Sequence, residues 1–147
     1  FLKRINFYQD RVVRFGFPGI DSLVRLYRKE GSFFAGSVHE KAVTQGLAKR
    51  VALPLYHRQP TNNYTRASFQ NKWLNYIEIE ARERGEIPPP RRLLYRSAAP
   101  GAFLLRLLRD LFLLGGILDG FRGIKIALLL AYYRYRLLMR LGAKPNE

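Results

Sequence analysis

From Arg91 to Lys144 the chain alternates leucine-rich runs with isolated cations, eleven Lys or Arg against two acids, Asp110 and Asp119. The longest apolar runs are Leu111–Leu118 and Ile124–Tyr133, the second with Lys125 inside it. Each is well short of the roughly 20 residues a helix needs to cross a bilayer. Such a segment folds as amphipathic helices, and two settings suit it. One is a lipid surface, where Leu, Phe and Tyr enter the acyl region while Arg and Lys meet lipid phosphates. On this reading Arg106, Arg109, Phe112, Arg122, Lys125, Tyr132 and Arg134 face the membrane. The other is a helical hairpin whose leucine face packs on the rest of the protein.

The whole chain carries 26 Lys and Arg against 11 Asp and Glu over 147 residues, a formal charge of +15, which calls for an anionic partner. Hydrophobic residues make up 48% of it, enough for a core, so the chain is not a disordered basic arm. There is no cysteine, which removes disulfides, thiolate metal sites and a thiol nucleophile together. The first residues are basic without a long apolar stretch and do not read as a signal peptide. Opening at Phe1 directly into patterned sequence, the chain reads as an excerpt of something longer.

Before the basic tail the period is short. Gly16, Pro18 and Gly19 break regular structure ahead of Asp21. Leu23–Arg28 reads as a strand, Lys29–Ser32 as a turn into Phe33–Ala35, and Leu47–His57 as an extended segment that Pro54 confines to an edge or a strand end. Thr61–Asn63 is a polar hinge. Thr65–Arg84 then has helical spacing, with Phe69, Trp73, Tyr76, Ile77 and Ala81 on one face, and Gly85 stops it. Pro88–Pro90 predicts a stiff extended spacer. Beyond it the expectation is a helix interrupted at Pro100-Gly101, a break at Gly115-Gly116, and a final helix over 120–141. Residues 1–62, 63–86 and 87–147 are accordingly expected as a β-rich portion, a helix packing on it, and a Pro-led basic helical tail.

Chemistry-bearing motifs are sparse. No phosphate-binding Gly loop, HExxH, nucleophile elbow or Asp-x-Asp occurs. The two histidines are His39, followed by Glu40, and His57. A carboxylate at Glu40 can accept a proton from a hydroxyl nucleophile, and a neutral His57 can ligate a divalent metal if carboxylates come from elsewhere. An ordinary surface pair and a hydrogen-bonded structural histidine account for the same residues. Arg25 and Arg28 offer planar forks to phosphate groups or form a solvated strand face. Asp119 reads as a helix cap or turn residue.

The ordered series Arg25-Leu26-Tyr27-Arg28-Lys29, Gly36-Ser37-Val38-His39-Glu40, Pro54-Leu55-Tyr56-His57, Lys72 with Tyr76, and Gly116-Ile117-Leu118-Asp119-Gly120-Phe121-Arg122-Gly123 resembles the C-terminal half of bacterial family 2 glycosyltransferases, of the lipopolysaccharide core glucosyltransferase type. The likeness runs from about Leu23 to Lys144. It implies an α/β class, α+β in a fragment: a partial GT-A acceptor half with a small sheet, one long helix and a C-terminal amphipathic membrane-docking region. It further implies an inverting transfer from a nucleotide-sugar donor to a lipopolysaccharide or other lipid-linked glycan acceptor, at the cytoplasmic face of the bacterial inner membrane. In such an enzyme Glu40 is the base, His39 its neighbour in the acceptor site, and His57 a metal or diphosphate contact. A divalent Mg or Mn ion is expected for the complete enzyme. The donor-binding half with its Asp-x-Asp is missing, so the chain alone is expected to bind neither the donor nor the metal and to be inactive. The alternatives are a non-catalytic peripheral membrane adaptor and a basic nucleic-acid-binding module. The last is disfavoured, because the aromatic residues sit at core spacing or in apolar runs and do not alternate with cations; no nucleic-acid partner is expected.

Overall fold

The computed structural model describes residues 1–8, 10–16, 21–24, 26–28, 30–35, 41–44, 49–58, 65, 67 and 69–143. Over these described residues the chain is mixed α and β, with small sheets and three α-helices. The first strand, β1 (Leu2–Tyr8), organises the larger sheet. Its partners are β2 (Arg11–Val13), β3 (Asp21–Leu23) and β6 (Val51–Arg58). Antiparallel β3 pairs with Leu2–Arg4 and antiparallel β2 with Asn6–Tyr8, while β6 runs parallel along Leu2–Phe7. A strand has two edges, so β2 and β3 share one and β6 takes the other. Between β3 and β6, β4 (Ser32–Ala35) and β5 (Lys41–Thr44) form a separate antiparallel pair.

This arrangement explains where the sequence reading was too long or silent. The strand expected over Leu23–Arg28 is instead β3 at Asp21–Leu23, because only Leu2–Arg4 of that edge is left to pair with it. The sequence reading assigned no element to Leu2–Tyr8, yet among the described residues it is the most extensively paired strand. Of the extended segment expected over Leu47–His57, Leu47 and Ala48 lie outside the described residues and Val51–His57 is present in β6. Its register jumps from Leu2 opposite Val51 to Lys3 opposite Pro54, so a bulge sits beside the proline, and β1 is its one partner among the described residues. Proline has no N–H to give a ladder and is tolerated at such a place.

A π-helical turn at Phe69–Trp73 leads into α1 (Leu74–Glu83), and Gly85, at φ +67°, ends it. Pro88–Pro90 does not form a spacer. Pro88 caps α2 (Pro89–Leu108), and Pro89 and Pro90 occupy its first turn, where a missing N–H costs nothing and φ is already helical. Nor does Pro100 interrupt α2. The carbonyl it deprives of a partner belongs to Arg96; both residues are exposed, so water can satisfy it. A π-helical turn at Arg109–Leu113 and a 3-10 turn at Gly116–Asp119 then reverse the chain into α3 (Phe121–Leu141).

Helix α3 takes part in both core clusters. Its Leu137, Leu138 and Leu141 form one core cluster with Ile77 of α1 and Ala99 of α2. Its Ile126 joins Tyr8 of β1 and Val13 of β2 in another, with Trp73 against it. Polar contacts reinforce the seam between α1 and α3: Arg140 Nε donates to Glu78 at 2.7 Å, and the Tyr133 hydroxyl donates to Glu80 at 2.7 Å. Burial, then the bond to Glu80 and its charge, raise the Tyr133 hydroxyl well above the ordinary tyrosine range, so it stays protonated as a donor.

At the start of α3, side chains are excluded. A Cβ on Gly123 would fall 1.8 Å from the Gly116 carbonyl oxygen, and one on Gly116 would fall 2.6 Å from the Asp110 carbonyl oxygen. Gly101, in the middle of α2, has nothing within 4 Å of such a position. Gly123→Ala is therefore expected to destabilise the chain by on the order of 3 kcal/mol through overpacking. Gly101→Ala should stabilise it by about 0.5–1 kcal/mol by removing backbone freedom. Urea denaturation of the two variants checks the opposite signs.

Candidate functional site

Two regions carry the expected functional residues, the β1–β6 strand pair and the α2–α3 hairpin. Arg25, His39 and Glu40 lie outside the described residues. Arg28 is exposed in the connection between β3 and β4.

His57 is half-buried on β6 opposite Asn6 of β1, and its Nδ1 lies 2.9 Å from Asn6 Oδ1. Asn6 is 1% exposed. Sequence reasoning did not single it out; the available signal was a lone amide inside the apolar run Ile5-Asn6-Phe7-Tyr8. No group of three or more His, Cys, Asp or Glu is gathered among the described residues, so these offer a divalent cation one nitrogen donor, His57, and no complete set of ligands.

The α2–α3 hairpin is amphipathic in an unusual sense. Leu93, Leu94, Leu104, Leu105 and Leu108 recur at helical spacing on the exposed face of α2, with the small residues Ser97, Ala98 and Gly101 between them. The apolar surface continues over the reversal, where Leu113 is 82% and Phe121 79% exposed. By the same spacing the exposed Arg91 and Arg109 border one side of this face and Arg96 the other. The leucines thus point away from the protein while a charged pair points into it.

That pair is Arg106 and Asp110. Asp110 is 1% exposed, and Arg106 Nε donates to its Oδ2 at 2.7 Å; Arg109 approaches Oδ1 more loosely, at 3.8 Å. Arg109 and Phe112 are on the exposed side. Lys125 is half-buried, with Nζ 5.9 Å from the centre of the Tyr8 ring, so it faces the sheet. Arg122 is half-buried with its Nε out of solvent. Arg134 is half-buried on the arc of α3 that carries Ala131, Leu137 and Leu138. Tyr132 is partly exposed and accepts from Arg136 at 3.2 Å.

Asp119 is a turn residue, the last of the 3-10 turn before α3, and makes no side-chain cap to that helix. Its carboxylate accepts from the backbone N–H of Phe15 at 2.8 Å and of Arg14 at 3.1 Å, joining the segment after β2 to the turn before α3. Comparison with protein families, curated proteins and solved structures finds no match.

Arg106→Ala leaves the Asp110 carboxylate in the interior without its close cation and is expected to cost about 3 kcal/mol of folding stability. Arg109→Ala, removing a half-exposed and looser partner, should cost less than about 1 kcal/mol. Chemical denaturation of both variants measures the difference.

Proposed function

We propose that this chain is the acceptor-side, membrane-docking part of an inverting glycosyltransferase. It acts on a lipopolysaccharide or other lipid-linked glycan from the cytoplasmic face of the bacterial inner membrane. The observation that carries this reading is the outward apolar face of α2 and the turns after it, bordered by Arg91, Arg96 and Arg109. Contiguous apolar surface of this kind marks an interaction site. Its chemistry suits a lipid interface, because leucines enter the acyl boundary while each cation near an anionic surface adds about 1 kcal/mol. Among the described residues no helix is long and apolar enough to cross a membrane, so contact along one face is the geometry available to α2. Its 20 residues give it a length of about 30 Å in the membrane plane.

The catalytic half of the proposal is supported by the ordered motifs around Val38-His39-Glu40 and Leu118-Asp119-Gly120. In this reading Glu40 removes the proton from the attacking hydroxyl, His39 helps shape the acceptor site, and Arg25 and Arg28 hold phosphate groups of the substrates. His57 supplies one ligand to a divalent ion, whose chemistry when bound is to offset charge on the departing diphosphate. A peripheral adaptor without catalysis draws on the same apolar face, and Glu40 separates the two readings.

The membrane half is tested by flotation with vesicles containing anionic lipid. The wild-type chain is expected to float. The Leu105→Asp/Leu108→Asp variant should bind at least tenfold more weakly, since each buried leucine contributes about 1.5–3 kcal/mol. A wild-type chain that stays in the aqueous fraction overturns the reading. Glu40→Gln in the complete polypeptide should abolish sugar transfer while vesicle binding and thermal unfolding stay unchanged; undiminished transfer removes Glu40 from the mechanism.

A further inference from the structure

The C-terminal ends of α1 and α3 and the first turn of α2 enclose a cavity of about 260 Å3. One arginine from each helix lines it, Arg82, Arg92 and Arg140, against one acid, Glu86, and Ile87 and Leu141 add apolar wall. Arg92 gives its Nε to the Ile87 carbonyl at 2.6 Å, and Arg140 gives its Nε to Glu78 at 2.7 Å. These bonds fix the stems of two forks whose terminal nitrogens have no partner among the described residues; nor has the exposed Arg82 side chain. Cations in the last turn of a helix commonly answer its unpaired carbonyls. Here the carbonyls of Arg82, Leu138 and Arg140 already accept from the N–H groups of Gly85, Gly142 and Ala143, at 3.0, 3.0 and 3.2 Å, so end-capping does not use the forks.

We propose that this cavity binds a phosphate group carried by a sugar. A tetrahedral phosphate offers acceptor oxygens in several directions to forks arriving from three helices, whereas a carboxylate offers two oxygens in one plane. Three cations against one acid also suit a dianion better than a monoanion. The volume falls below the roughly 300–1,000 Å3 that encloses a whole drug-sized ligand, so a phosphate and the ring bearing it fit and a complete nucleotide sugar does not. By the helical period Arg92 is on the side of α2 opposite Leu94 and Leu105, one helix diameter, roughly 10 Å, from the leucine face. Bilayer headgroup phosphates beside that face meet Arg91, Arg96 and Arg109, and the cavity takes a phosphate standing farther out. That this sugar belongs to the lipid-linked acceptor rests on the glycosyltransferase reading and sharpens it: the acceptor is phosphorylated on its glycan.

The test titrates the 15N-labelled chain with glucose 6-phosphate and follows the amide signals of Gly85, Glu86 and Ala143, which border the cavity. These are expected to shift and saturate, and inorganic phosphate, which lacks the ring, should bind several-fold more weakly. Arg82→Gln breaks no side-chain contact among the described residues and should weaken glucose 6-phosphate binding about tenfold. Glu86→Gln removes the one opposing charge of the lining and should tighten it several-fold. Arg11→Gln, which removes the same charge as Arg82→Gln but from exposed β2, should leave the affinity unchanged. Absence of saturable shifts in the wild-type overturns the proposal, as does unchanged affinity in Arg82→Gln or an equal loss in Arg11→Gln. Inorganic phosphate binding as tightly as glucose 6-phosphate overturns it by assigning the cavity to the free ion, and displacement by phosphatidylglycerol vesicles overturns it by assigning the cavity to a headgroup. Failure of the glycosyltransferase reading shows separately, as absence of sugar transfer by the complete polypeptide while glucose 6-phosphate still binds.

Discussion

Three stretches of backbone meet in this protein with no room for a side chain between them. The Gly16 and Gly116 backbones are in direct approach, since a Cβ on Gly16 would lie 3.2 Å from Gly116 Cα, and Gly123 brings α3 against the Gly116 carbonyl. Hydrogen bonds hold the joint: Gly16 N–H donates to the Leu114 carbonyl at 2.7 Å, and Asp119 takes the N–H groups of Arg14 and Phe15. Sheet and helices are thereby tied at one point. The tie fixes where α3 begins, and α3 then packs against α1, α2 and the Tyr8 and Val13 side chains of β1 and β2.

Placement of α3 decides the character of α2. One face of α2 reaches the core through Ala99 and the Arg106–Asp110 pair, and the opposite, leucine-bearing face has no element of the described chain over it. An ordinary amphipathic helix hides its leucines and shows its charges. Here a buried carboxylate and its arginine take the inner side, where they cost desolvation, while exposed leucines take the outer. That inversion makes physical sense when the outside is itself apolar, and it turns the basic composition into a rim around the leucine face.

The strand pair follows a related logic at smaller scale. A buried amide in an apolar strand costs free energy unless it is hydrogen-bonded, and the parallel register of β1 and β6 supplies the partner in His57. The same contact that satisfies Asn6 restricts the imidazole.

Local chemistry alone was enough to read several elements. Gly85 ends α1, Gly115-Gly116 breaks the hairpin, and the final helix spans close to its expected range, because stop residues and a 3.6-residue apolar period act within a turn or two of chain. His57 stood out because histidine is rare here; Asn6 did not, since its meaning depends on a strand about fifty residues away. Pro88–Pro90 misled because a proline run fits the first turn of a helix as well as an extended spacer, and Pro100 because a proline rides in a helix where water can reach the carbonyl it leaves unpaired. The sequence by itself determined a basic, cysteine-free chain of mixed elements with an apolar end too short-spanned to cross a bilayer. Only the tertiary structure decided that β1 is the central strand, that α3 and not α2 is the core helix, and which tail cations face outward. Those outcomes depend on contacts between segments far apart in the chain, at glycines whose lack of a side chain has meaning only once the partner backbone is in place.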